Sequence, residues 1–182
     1  MRVLGEYKIN EKTVLVTGEY DESGRLCTRV IEGEESFLVN MKPLQVINNT
    51  LLMNGSNFRG ARESSKKILG KSHMCPIKIN CNLGIWVFPT KSYINDFCVW
   101  FSLMHVKRTK ARGVKRTEVV LSYDHTFFIE MKESSFNQKR QKALDLREAI
   151  LKNSESPLTF YVEPKKGLSI REDEGVNRYR IR

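Results

Sequence analysis

The feature that most limits the fold of this chain is the spacing of its apolar residues. They fall in short, β-branched runs divided by turns, with one helical period late in the chain. Tyr7–Ile9, Thr13–Val16 and Leu26–Ile31 are such runs, and Asp21-Glu22-Ser23-Gly24 stands before the third as a hairpin turn would. Glu34–Asn40 continues the pattern, and Leu44–Met53 reads as one more apolar run interrupted at Asn48-Asn49. Ile77–Ile79, Ile85–Phe88 and Cys98–Val106 read as strands, with Pro76 and Pro89 at edges where a missing N–H is tolerated. Glu118–Ser122 and Thr126–Met131 flank Tyr123-Asp124-His125 as a further hairpin.

Two segments depart from this pattern. Phe58–Leu69 follows the loop Asn54-Gly55-Ser56-Asn57 and has moderate helical character. Ser56 or Asn57 can cap its start and Gly70 its end, although Gly60 weakens it. The clearer helix opens at Ser135, with Gln138 three residues on as in a capping box. Phe136, Ala143, Leu146, Ala149 and Ile150 recur near helical spacing, and the break at Ser154–Pro157 predicts an end near Asn153. The expected fold class is therefore α+β, a mainly antiparallel sheet with one clear helix in the C-terminal half and a short basic helix. Residues 1–153 form the expected domain, and residues 154–182 a partly ordered C-terminal tail.

A chain of 182 residues can build one domain with a substantial core. Its net charge is +10 and unevenly spread: residues 1–40 carry five basic and eight acidic side chains, a net −3, which leaves +13 on residues 41–182. An acidic N-terminal lobe on a basic body suits a polyanionic partner, and the field of such a body speeds encounter with one. No stretch reaches the roughly 20 apolar residues that a membrane span needs. The start, Met1–Asn10, has no long apolar run and carries Glu6, unlike a secretory signal. The expected compartment is the cytoplasm, where Cys27, Cys75, Cys81 and Cys98 would remain thiols, mostly buried.

The sharpest electrostatic feature runs from His105 to Arg116. It holds Lys107, Arg108, Lys110, Arg112, Lys115 and Arg116 and no acidic residue, and Gly113 lets it bend. Flanking strands would present it as a basic hairpin arm, able to neutralise phosphates or enter a narrow minor groove. A solvated surface loop is the plainer alternative. A second basic segment holds Arg59, Arg62, Lys66, Lys67 and Lys71 against Glu63 alone. Gly55-Ser56-Asn57 in front of it can offer backbone N–H groups to a phosphate, while an amphipathic surface helix is the alternative. A phosphate-loop NTPase is excluded, because Ala61-Arg62 stands where that loop requires Lys followed by Ser or Thr.

Other chemistries find little support. His73, Cys75, Cys81 and Cys98 match no common zinc spacing, so no metal and no cofactor is expected. Cys98 and His105, seven residues apart in a strand, fall on opposite faces, which argues against a nucleophile–base pair and an enzyme. Trp86 and Phe88 share a strand face and could stack bases, but with Trp100 and Phe101 they read better as core.

VNMKPLQV (Val39–Val46), NGSNFRGAR (Asn54–Arg62), SHMCPI (Ser72–Ile77), IWVFPTKS (Ile85–Ser92), CVW (Cys98–Trp100) and HVK (His105–Lys107) carry a family pattern in their order and spacing. Over about residues 30 to 152 the chain resembles the ComK competence transcription factors of Bacillus-type bacteria. That resemblance implies an activator of DNA-uptake genes that binds paired A/T-rich boxes in double-stranded DNA largely through the minor groove. It implies several protomers on one site, with RNA polymerase as a further partner and the nucleoid as location. Lys42, Ser56 and Asn57 lie in the matching stretches and join the basic residues as candidate DNA contacts. In the tail, Phe160-Tyr161-Val162-Glu163-Pro164-Lys165 is similar to the segment that an adaptor of a Clp protease reads in this family, with Glu163 where an aromatic is expected. That departure leaves adaptor control by Phe160, Tyr161, Val162, Pro164 and Lys165 unsupported by the motif alone. A basic RNA- or protein-binding module without sequence preference is the rival reading.

Overall fold

A computed structural model describes residues 2–70, 73–155, 168–173 and 176–181. Seven strands make the main sheet: β1 (Val3–Leu4), β2 (Thr13–Tyr20), β3 (Leu26–Glu32), β4 (Glu35–Val39), β5 (Ile77–Asn80), β6 (Ile85–Pro89) and β7 (Trp100–Ser102). Their spatial order is β1-β4-β3-β2-β7-β6-β5, antiparallel except for the β1–β4 edge pair. Two helices, α1 (Pro43–Met53) and α2 (Phe58–Leu69), separate β4 from β5. One turn of 3-10 helix (Leu103–His105) leads into a second sheet of β8 (Val106–Ala111), β9 (Thr117–Leu121) and β10 (Thr126–Ile129), and α3 (Glu133–Glu155) follows. The α+β class and the mainly antiparallel pairing are as the sequence predicts.

Alternation along β6 shows how the layers form. Ile85 and Val87 face a core built with Val46, Ile47 and Leu51 of α1, against which Phe58 and Ala61 of α2 pack. Trp86 and Phe88 face a second core, with Val119, Leu121 and Ile129 of the small sheet and Phe136, Ala143 and Leu146 of α3. The main sheet is thus covered on both faces, and its central strands are apolar on both. Trp100 and Phe101 divide between the two cores in the same way, so none of the four aromatics is presented for stacking on bases.

Several expectations are corrected. Leu44–Met53 is helix, not strand: Pro43 pre-sets the first turn, and Val46, Ile47, Thr50 and Leu51 are buried at helical spacing. Tyr7–Ile9 forms no strand; the Ile9 N–H donates instead to the Thr50 hydroxyl. Cys98–Val106 is not one strand, since the 3-10 turn divides β7 from β8. Ser135 does not cap α3, because the helix already begins at Glu133 and the Phe136 N–H donates to the Lys132 carbonyl. The tail contains a hairpin, β11 (Leu168–Asp173) with β12 (Val176–Ile181), that its polar composition does not suggest. The segment from Phe160 to Lys165 lies outside the described residues.

Candidate nucleic-acid interface

The basic segment after His105 is a β-hairpin. β8 and β9 pair antiparallel with Thr109 opposite Val119 and Lys110 opposite Glu118. Val119 is buried and Thr109 half-buried toward α3, which turns Arg108 and Lys110 to the solvent face. A β-bulge between Val106 and Arg108 leaves Lys107 exposed as well as its neighbour Arg108. Residues 112–116 close the arm and are all exposed, and Gly113 makes the bend at φ 109°.

The base of the arm is fastened to α3. One carboxylate, Glu133, accepts from the Thr109 hydroxyl at 2.7 Å and from the Ala111 N–H at 3.0 Å. The Arg140 guanidinium donates to the Val106 carbonyl at 2.7 Å. Charged groups make such bonds stronger than neutral ones, so the arm stands on a defined seat.

Acidic residues that the segment itself lacks are brought to it by the fold. Arg112 pairs with Glu118 across the hairpin. Arg116 lies over the Phe128 ring, 4.7 Å from its centroid, and 3.6 Å from the Glu130 carboxylate. The Arg112 guanidinium holds the Glu118 carboxyl below its ordinary value, with smaller help from Lys110 and Arg108. Lys107, Arg108, Lys110 and Lys115 are exposed and form no ion pair among the described residues.

His105 is placed apart from these cations. It is buried, its Nε2 stands 2.7 Å from the Glu11 carbonyl, and its ring packs beside Tyr123. Burial lowers its basicity and the Glu11 carbonyl offsets part of that. With the folded value below the unfolded one near 6.5, the unfolded chain binds the proton first. The contribution of the neutral, buried His105 to stability is therefore fully present above about pH 6.5 and diminishes as pH falls below it. We expect the urea midpoint of His105→Gln to fall less between pH 7 and pH 5 than that of the wild type; parallel curves would refute this role for His105.

The second basic segment is α2, whose only buried residue is Ser65. Of the two caps the sequence allows, Ser56 and Asn57, it is Asn57 that serves, its Oδ1 accepting from the Gly60 N–H at 2.8 Å. The preceding loop does not offer its backbone freely, however. The Gly55 and Ser56 N–H groups donate to the Leu52 and Leu51 carbonyls, and the Phe58 N–H to the Asn48 side chain. A phosphate cradle at this helix start is thus largely filled from within. Arg59 pairs with Glu63 along the helix, and Arg62 lies 4.9 Å from the centre of the Tyr93 ring. Tyr93 also lines a groove of about 220 Å³ together with the exposed Lys42. Lys67 is exposed and Lys66 half-buried, while Lys71 lies outside the described residues.

The cysteines form no disulfide, and Cys27, Cys75 and Cys98 are buried. Among the described residues no group of three or more His, Cys, Asp or Glu side chains could hold a metal ion. No helix of the described residues is long and apolar enough to cross a membrane.

Comparison with known proteins adds two findings. The family model described as ComK protein matches residues 4–155. The competence transcription factor of Bacillus subtilis (strain 168) is 33% identical over 144 residues, which is 79% of this chain and 74% of that protein. No solved structure matches the chain at a significant level.

Proposed function

The chain belongs to the ComK family, and from that premise we propose that it is a DNA-binding transcriptional activator of competence genes. It reads A/T-rich duplex mainly through the minor groove, as several copies on one site. The observation that carries this reading is the β8–β9 arm, which is strand-paired, fastened at its base and basic on its solvent face. An arm of this kind follows phosphates on either side of a groove and reads groove width and potential. Major-groove reading of adenine would need Asn or Gln in reach of bases. Asn57 already uses its oxygen to cap α2, and Asn137, the amide beside the arm, donates to the Thr109 hydroxyl at 3.1 Å.

Residues 2–155 form the DNA-binding body in this reading, with Lys107, Arg108, Lys110 and Lys115 as primary phosphate contacts. Arg112 and Arg116 serve after exchanging a carboxylate for a phosphate. Lys42, Ser56, Asn57, Arg59, Arg62, Lys66 and Lys67 form a second, weaker contact surface. The buried His105 is not a contact. RNA polymerase is the further partner an activator needs, and the tail from residue 156 on is the segment for regulation by an adaptor.

The test is competition at fixed salt among duplexes whose boxes are A·T, I·C or G·C. I·C keeps the A·T minor-groove pattern and changes the major-groove one. We expect A·T and I·C boxes to bind alike, G·C boxes to bind at least tenfold more weakly, and distamycin to compete. Equal binding of all three, or of single-stranded RNA, would favour a basic module without sequence preference.

A further inference from the structure

Resting on the minor-groove reading above, we propose that Val114 sets the base-pair preference by lying against the groove floor and excluding the guanine 2-amino group. Val114 stands at the apex of the β8–β9 arm and is 79% exposed, the most of any large apolar side chain described. It touches neither core cluster and has no role in folding that would place it there. The arginines on either side do not screen it. Arg112 is drawn back to Glu118 and Arg116 back over Phe128 toward Glu130, which leaves Gly113-Val114-Lys115 as the leading edge of the arm. Glu133 and Arg140 hold the base, so the apex is presented by a fixed support.

The chemistry of the groove floor gives the apex something to distinguish. A·T and T·A pairs present only the adenine N3 and thymine O2 acceptors, and G·C adds a donor that projects from the guanine 2-amino group. A valine isopropyl group over an A·T pair covers a donor-free surface. Over a G·C pair it strips water from the amino group and supplies no acceptor, the costly case of a donor left unsatisfied. Lysine and arginine can sense groove width and potential, but they too lack an acceptor and cannot make this distinction by bonding. Val114 is therefore a specificity-determining contact, while the surrounding cations supply affinity.

The experiment compares wild-type protein with Val114→Asn and Val114→Ile on the A·T, I·C and G·C duplexes. The apex is exposed, so neither change disturbs the fold. An asparagine carbonyl can accept from the guanine amino group, and the discrimination against G·C boxes in Val114→Asn falls by about tenfold. Val114→Ile keeps the wild-type ratio. The assignment of Val114 alone is overturned if Val114→Asn keeps the wild-type A·T to G·C ratio while wild type still accepts I·C. If wild type itself rejects I·C or fails to prefer A·T, the minor-groove reading fails and this inference with it.

Discussion

Replacing Lys107, Arg108, Lys110 and Lys115 together by Ala lowers affinity for an A/T-rich duplex by on the order of 1,000-fold near 0.15 M salt. Each phosphate contact releases close to one counterion, so the slope of log K against log salt flattens by about 0.9 per lost contact. The fold persists, because these four side chains are exposed and form no ion pair among the described residues. The informative comparison is Arg112→Ala with Arg116→Ala. Those arginines already have Glu118 and Glu130 as partners, and binding phosphate means giving up an existing pair. Their loss therefore weakens binding less per residue than loss of the four. Filter binding or anisotropy across a salt series measures both. An unchanged slope in the fourfold variant would remove the arm from the interface.

The second large effect is on stability. Phe136→Ala destabilises the fold by about 3–5 kcal/mol. Its ring is fully buried on α3 and meets Phe101 edge-on at 5.2 Å and Phe88 at 5.5 Å, which joins the helix to the main sheet. A cavity there is enclosed by both sheets and cannot readily collapse. Domains of this size are stable by only about 5–15 kcal/mol, so a large share is lost. The same helix carries Glu133 and Arg140, and loosening it also loosens the seat of the basic arm. Equilibrium urea unfolding reads the effect directly. A loss below about 1 kcal/mol would contradict the packing of α3 described above.

Where side-chain period is regular, the sequence was enough. The two-residue alternation of Ile85-Trp86-Val87-Phe88 assigns each side chain to one of two cores, and only a strand covered on both faces reads that way. Phe136, Ala143 and Leu146 likewise announce α3, and the pair Ser56-Asn57 announces the start of α2, where the structure uses Asn57 as the cap. Leu44–Met53 was misread because a short apolar run does not separate helix from strand by period alone. Pro43, with Val46, Ile47, Thr50 and Leu51 behind it, was the signal that could have decided it. The pairing of Val3–Leu4 with β4 and the division of Cys98–Val106 by a 3-10 turn depend on distant partners that no local pattern names.

The candidate site divides in the same way. Its location and sign were legible: six cations within twelve residues, a glycine to bend the chain, and β-branched runs on either side. Which cations are available was not legible. Glu118 faces Arg112 because of hairpin register, Glu130 reaches Arg116 because β10 lies beside β9, and Glu133 holds Thr109 because α3 packs under the arm. Coulomb interactions depend on separations of a few ångströms, and residues far apart in the chain acquire those separations only when the strands pair. Composition and order along the chain determined that this protein carries a basic arm; the pairing of β8, β9, β10 and α3 decided which charges on it remain available and set Val114 at its tip.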